Sequence, residues 1–300
     1  MVDLEVLSRR WMALTLSGWV VFLSVSIAQP ILLSPRWQAT FTSKDDGQQP
    51  DSTAVAVPGG STMVVVVAAG SDPTSLKLQK GDHLIPTKLV GHDPVSRLAF
   101  VNLADDMMPK ISAWVEDANA SSSATLQSIE ADGPIKCRTT GWVKQVAGKI
   151  LPLALLRVNF SREVPPPGTP LTDKRGQVVG IVFQHSGSAN IGYAIPAEAV
   201  RRVQQDICNG GHLIRGWLGL ALRAESPTPT ICRVLADSPA AAAGIRPNDL
   251  LLSIGTRQIT DYADAANAFF YLIPGQPVTV KLQRDTGQLE FTLTPTLPEG

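Results

Sequence analysis

Pro165-Pro166-Pro167-Gly168-Thr169-Pro170-Leu171 is the stretch from which the rest of the chain is read. Just beyond it, Gly176-Gln177-Val178-Val179-Gly180-Ile181-Val182-Phe183 has the short β-branched, glycine-led form of a strand. Asn190-Ile191-Gly192-Tyr193-Ala194-Ile195-Pro196 then leads into a segment with helical spacing. A turn built on three prolines and one glycine, followed by two strands and a helix, sets the frame for everything on either side.

Three hundred residues fit two modest domains and a short appendage. The 26 basic side chains equal the 26 acidic ones and form no cluster, which speaks against a nucleic-acid partner. Glycine and proline are frequent and aromatics sparse, as in a chain of short strands and turns. Cys137, Cys208 and Cys232 lack Cys-x-x-Cys spacing, so no metal site is expected, and no cofactor motif is present. One disulfide with a thiol left over fits an oxidising compartment; three unpaired, buried thiols is the simpler reading.

Arg9-Arg10 precede an uncharged, largely apolar run from Trp11 to Pro35, long enough for a transmembrane helix with a cytoplasmic basic flank. Ser26-Ile27-Ala28 has the small-x-small form of a signal-peptide cleavage site, so residues 1–35 read as a signal anchor or a signal peptide. Either places the remainder in the envelope. Residues 36–50 are mostly polar and read as a linker.

From 51 to 208 the pattern is of many short strands: Ala54–Val57, Met63–Ala69, Ser75–Leu78, Thr87–Val90, Gly141–Val146 and Leu153–Val158. This predicts a mainly β domain, barrel or sandwich. The helix candidate runs from Pro196 to about Cys208, with Val200 and Val203 on one side, Arg201 and Arg202 on another, and Gly210-Gly211 as its stop.

The order Gly-x-Pro-Leu, apolar strand, Ile-Gly-Tyr-Ala-Ile-Pro resembles the HtrA/Deg family of trypsin-like serine proteases. The resemblance implies a chymotrypsin-like double β-barrel, each barrel of six strands, with the active site between them. The family's Gly-Asn-Ser-Gly-Gly-Pro-Leu then sets its nucleophile at Pro167. Its Val-Gly-x-Asp-Pro-x-x-Asp-Leu-Ala, laid on Leu89–Ala99, sets the triad carboxylate at Arg97. Its Thr-Asn-x-His-Val-Val-x-Gly sets the triad imidazole at Val66, and no His occurs from Met1 to Asp82. A triad needs a hydroxyl, an imidazole and a carboxylate in concert, and Val, Arg and Pro supply none of these. The expectation from these positions is therefore no catalytic residues and no enzyme. His185-Ser186-Gly187-Ser188 is the group that draws the eye as a substitute, but adjacent strand residues face opposite ways, and a polar loop explains it.

Residues 214–297 resemble the PDZ domain appended to these proteases. Ser238-Pro239-Ala240 through Gly244-Ile245-Arg246-Pro247-Asn248-Asp249 to Ile254 follows the family motif throughout, with Asn248 at a glycine position. Asp261 caps a helix to about Leu272, and Val278–Gln283 and Leu289–Leu293 close a hairpin around Asp285-Thr286-Gly287. Such domains add an extended peptide to a sheet edge and hold its carboxylate with backbone N–H groups. By resemblance, Leu218, Gly219 and Leu220 are the carboxylate donors, with Trp217 beside them and Arg215 adding charge; the helix spacing leaves Ala266 and Phe270 as groove candidates, with core packing the alternative for Phe270. Tyr262, Ala265, Phe269 and Leu272 read as the helix's core stripe.

The expected function is a catalytically inactive, HtrA-like envelope protein that binds protein C-termini or unfolded peptides. A serine endopeptidase with an unconventional site and a structural protein with an unused groove are the alternatives. The apolar N-terminal run makes the membrane a further expected partner, and the resemblance implies a homo-oligomer, a trimer.

Overall fold

The computed structural model describes residues 37–43, 50–104, 107, 109, 113–115, 124–128, 133–146, 149–223 and 228–297. The N-terminal apolar run lies outside them. Among the described residues no helix is long and apolar enough to cross a membrane.

The first sheet comprises β1 (Trp37–Thr42), β2 (Pro50–Pro58), β3 (Met63–Val66), β4 (Lys77–Lys80), β5 (His83–Ile85), β6 (Lys88–Asp93) and β7 (Leu98–Asn102). Its order is β5-β4-β1-β2-β3-β7-β6. The linker reading of residues 36–50 is corrected here. Trp37, Ala39 and Phe41 alternate into the core, and β1 pairs with both β2 and β4. Single apolar residues between polar ones hid a half-buried strand. The sheet is open among the described strands, rather than the closed six-stranded barrel that the resemblance implied. Helix α1 (Ala197–Gly210) packs against β6 and β7. A Cβ on Gly91 would stand 2.7 Å from Ile207 and 2.8 Å from the Gly211 carbonyl oxygen.

Runs such as Met63-Val64-Val65-Val66 are apolar on both faces because both faces are covered. Met63 and Val65 join Phe41, Leu78 and Ala99 in one core, while Val64 and Val66 join Leu98 and Phe100 in another. The second of these is shared with Ile181, Ile195, Val200, Val203 and Ile207, so it glues the sheet to the rest of the molecule.

The second unit is a closed six-stranded barrel of β8 (Thr125–Ser128), β9 (Ile135–Val146), β10 (Lys149–Phe160), β11 (Pro170–Thr172), β12 (Val178–His185) and β13 (Ile191–Pro196). Leu126, Leu156, Val158, Phe160, Leu171 and Val182 fill it. Helix α1 follows and ends, as its glycines predict, at Gly211 with φ +74°.

Residues 220–293 hold β14 (Leu220–Leu222) and β15 (Ile231–Val234), helix α2 (Pro239–Ala242), β16 (Leu250–Ile254), β17 (Arg257–Gln258), helix α3 (Tyr262–Phe270), β18 (Val278–Arg284) and β19 (Gly287–Leu293). β14 and β15 form one small sheet and β17-β16-β18-β19 another. The Ser238 hydroxyl accepts from Ala241 N–H and so caps α2. Asn248 has φ +76°, as its place in the glycine position anticipated. Beside it Asp249 is buried and takes a two-pronged hydrogen bond from Arg284, 2.8 Å on each side.

Arg202 corrects the reading of α1. It is buried like Val200 and Val203, not set apart from them: Nη2 donates to the carbonyls of Ile214 (2.7 Å) and Leu272 (3.0 Å), and Nη1 makes an ion-pair contact with Asp206. Asp206 in turn accepts from Ile214 N–H at 2.8 Å. One helical turn thus grips the connecting segment and the end of α3 together. The cysteines are all unpaired, but only Cys137 is buried, which corrects the expectation of three buried thiols. Burial pushes its thiol up to about 12.

Candidate functional site

Two concave sites emerge, one between the first sheet and the barrel and one beside α3. At the first, β3 and β7 pair with Val66 opposite Leu98, and Val67 N–H donates to the Arg97 carbonyl at 2.8 Å. Arg97 has φ +58° at the end of a tight turn in which buried Asp93 accepts from Ser96 through both its N–H and its hydroxyl. The Pro165–Gly168 loop closes the opposite wall. Val55 N–H donates to the Pro167 carbonyl, and Gly168 N–H to the Val182 carbonyl, each at 2.7 Å. Gly168 has φ +85°, and a Cβ there would stand 1.9 Å from the Val55 carbonyl oxygen, so this close approach admits only glycine.

Val66, Arg97 and Pro167 therefore line one cleft of about 710 Å³, although they come from separate elements. The alignment of three separate motifs set them at one site, and the fold brings them together. The loop presents no free donor to the cleft: Pro165, Pro166 and Pro167 have no N–H, Gly168 is bonded to Val182, and Thr169 N–H returns to the Pro166 carbonyl. His185 lies on the same wall, exposed; its Nδ1 accepts from Gly187 N–H at 3.4 Å, and no hydrogen bond joins it to Ser186 or Ser188.

What sequence reasoning missed is the pair Phe183 and Gln184. The Arg97 guanidinium stacks 3.9 Å over the Phe183 ring, and its Nη2 donates to Gln184 Oε1 at 2.9 Å. Neighbouring strand residues ordinarily face opposite ways. Here the β12–β13 register slips between Val182 and Gln184, and the bulge turns both side chains to one side.

The second site is a groove of about 280 Å³ between α3 and the segment before β14. Arg215, Trp217, Leu218, Gly219, Leu220, Ala266 and Phe270 all line it. Gly219 has φ +78°, and a Cβ there would meet Ser238 at 2.1 Å, so the loop can lie against the start of α2 only as glycine. The carbonyl of Gly219 accepts from Leu235 N–H, and Leu220 pairs with Val234. In that register Leu220 is a non-hydrogen-bonded position, so its N–H faces away from β15. The N–H groups of Leu218 and Gly219 have no acceptor among the described residues. Three successive donors thus line up beside a strand whose outer edge is unpaired among the described strands.

The far wall differs from expectation in two residues. Phe269, read as core stripe, also lines the groove, one helical turn from Ala266. Pro152, from β10, closes the groove from the barrel side. Phe270 does two jobs: it lines the groove while its ring, 2% exposed, packs in the core shared by the first sheet and the barrel. Helix α3 is thus the contact element between the regions. Asn267 Oδ1 accepts from Ala154 N–H at 3.0 Å, Lys144 pairs with Asp264, and Arg257 pairs with Glu198 while stacking 3.5 Å over Tyr271. Burial raises the Asp264 carboxyl, but hydrogen bonds from Lys144 and Thr260 outweigh it and hold the group below its ordinary value.

Comparison with known proteins matches residues 216–294 to the PDZ domain family. A probable periplasmic serine endoprotease DegP-like of Ectopseudomonas mendocina is 26% identical over 254 residues, 78% of this chain and 53% of the relative. A protein of the same description from Chlamydia trachomatis is 29% identical over 145 residues, 43% of this chain and 29% of the relative. The chain spans about half the length of the first of these relatives, and less of the second. Among solved structures, the HtrA-type protease AlgW with tripeptide superposes with a TM-score of 0.61 at 22% identity, covering 89% of this chain and 95% of that one. These names overturn one expectation. Val66, Arg97 and Pro167 predict no enzyme, whereas the relatives are called serine endoproteases or HtrA-type proteases, which points to protease activity. Residues 216–294 thus belong to the PDZ domain family, and the sheet and barrel before them share the fold of HtrA-type proteases.

Proposed function

We propose that this chain receives the C-termini of other polypeptides in the groove between β14 and α3, in the bacterial envelope. The observation that carries the reading is the row of three N–H groups at Leu218, Gly219 and Leu220, beside an unpaired strand edge and an apolar hollow. A strand added to that edge would satisfy β14, and its terminal carboxylate would meet the nest. An apolar last residue would rest among Leu218, Ala266 and Phe269; burying one such side chain contributes roughly 1.5–3 kcal/mol. The solved relatives described with a tripeptide and a decapeptide bound support peptide recognition by this architecture. Titrating the chain with free-acid and C-terminally amidated versions of one apolar-ended peptide tests it. The free acid binds at least about 10-fold more tightly, since charge-assisted bonds are the stronger kind. Equal affinities would remove the carboxylate nest from the reading.

A second reading, hydrolysis of the captured chain, is favoured by the relatives' names. It requires an unconventional active site, because the side chains at positions 66, 97 and 167 offer no hydroxyl, imidazole or carboxylate. His185 is the imidazole on the cleft wall, with Ser186 and Ser188 next to it in sequence. Casein hydrolysis and fluorophosphonate labelling of the chain, compared with His185→Ala and the Ser186→Ala, Ser188→Ala double variant, decide between cleavage there and cleavage by nothing in this cleft. The relatives' names support a periplasmic location; retention by an N-terminal membrane helix and a trimeric state belong to the proposal and are read by membrane fractionation and light scattering.

A further inference from the structure

We propose that the cleft between the first sheet and the barrel is a binding site for an acidic residue within an apolar peptide segment, with Arg97 as the group that holds its carboxylate. This goes beyond the groove at α3, uses none of its residues, and does not depend on hydrolysis.

The starting point is an arginine with no counter-ion. Among the described residues Arg97 forms no ion pair, and its side chain makes one hydrogen bond, to the neutral amide of Gln184. The guanidinium is half-buried, and that burial lowers its pKa, as expected of a cation that has lost water without gaining a carboxylate. A guanidinium carries five N–H donors in a fixed fork. One is spent on Gln184, and none of the side-chain nitrogens of Arg97 is a buried, unsatisfied atom, so the remaining donors are open to the cleft.

Its position is held from three sides. The Phe183 ring lies beneath it at 3.9 Å, the Gln184 amide fixes one edge, and the left-handed backbone of the turn is locked by the Arg97 carbonyl on Val67 N–H. A side chain so constrained loses little entropy when it binds. Around it the cleft is mostly apolar: Val66, Val67 and Ala68 on one wall, Ile135, Val164 and Phe183 on the other. Arg162 and His185 add donors at the rim, against one acid, Glu163, which is exposed and pairs with no described residue. One planar cation held among apolar walls, with Arg162 only at the rim, suits a carboxylate with apolar neighbours better than a densely charged phosphate chain. A peptide carrying Asp or Glu between aliphatic residues has that chemistry.

The test uses the full chain in mild detergent and a fluorescein-labelled peptide, Val-Ala-Val-Asp-Val-Ala-Val, amidated at its C-terminus so that it offers the α3 groove no carboxylate. The Asn counterpart is the control. The Asp peptide binds roughly 10-fold or more tightly than the Asn peptide, the effect of one charge-assisted contact. The Gln184→Glu variant then abolishes the preference, because it supplies Arg97 with an internal carboxylate where Gln184 Oε1 already sits 2.9 Å away. That variant satisfies a cation and should raise the melting temperature, so a loss of binding cannot be laid to unfolding. Arg97→Gln abolishes the preference as well. Equal binding of the two peptides, binding of neither, or an Asp preference that survives Gln184→Glu would each overturn the proposal.

Discussion

The cleft and the groove, two concave sites in one chain, are built from different material. The cleft is lined by side chains from separate elements, among them Val66, Arg97 and Pro167, so its chemistry is set by side-chain identity. The groove's chemistry depends on backbone N–H groups, for which the side chains of Leu218 and Leu220 matter only as apolar surface. A side-chain site is altered by substitution, and the alteration is legible in the sequence. A backbone site persists as long as the chain can take the required path, and it is vulnerable at the glycine that permits that path.

The largest effects should therefore fall on one glycine in each region. Gly168→Ala and Gly219→Ala both place a Cβ within about 2 Å of fixed neighbours at positive φ. Each should cost about 3 kcal/mol or more in urea unfolding. Gly219→Ala should also end binding of free-acid peptides, whereas Gly168→Ala, if enough protein folds, should leave it intact. A Gly219→Ala chain that binds normally would show that the groove is not a backbone site.

A smaller effect tests how far the two regions are one body. The described residues form one compact unit, with α3 against β9 and β10. Asn267→Ala removes the acceptor of Ala154 N–H and should cost about 1–2 kcal/mol. It should also change peptide affinity in the groove, because Pro152, two residues from that bond, forms the barrel-side wall. An unchanged affinity would mean that the wall is incidental.

The smallest is a pH effect confined to the second region. The Arg284 hydrogen bond, countered by burial, holds Asp249 below its ordinary value, and Asp264 is held down likewise by Lys144 and Thr260. A carboxyl whose folded pKa is depressed contributes stability that is full above its unfolded value of about 3.9 and is lost as pH falls through the folded value. Urea midpoints measured from pH 6 down to pH 2 should drop below about pH 4, and Arg284→Met should shrink the drop by removing the part that belongs to Asp249. A variant whose acid profile matches the wild type would assign the loss to other carboxyls.

How much was legible depended on how local the cause was. Asn248 at φ +76°, the Gly211 stop of α1 and the Ser238 cap all follow from single residues and their neighbours, and sequence reading anticipates the first two by position. β1 escaped it because Trp37, Ala39 and Phe41 look sparse until β2 and β4 pair on either side. The burial of Arg202 escaped it because its partners, the carbonyls of Ile214 and Leu272, are backbone groups from 12 and 70 residues away.

By itself the sequence determined the mainly β architecture, the PDZ motif from Ser238 to Ile254, the residue types at positions 66, 97 and 167, and the glycines on which both sites turn. These are written in residue type and short-range spacing. Only the tertiary structure decided that Phe183 and Gln184 share one side, that Pro152 walls the groove, and that Phe270 belongs to a core built mainly by another region. A strand bulge, a docking surface and a shared core are set by which distant segments meet. That is a balance of packing and backbone pairing over the whole fold, and no local pattern encodes it.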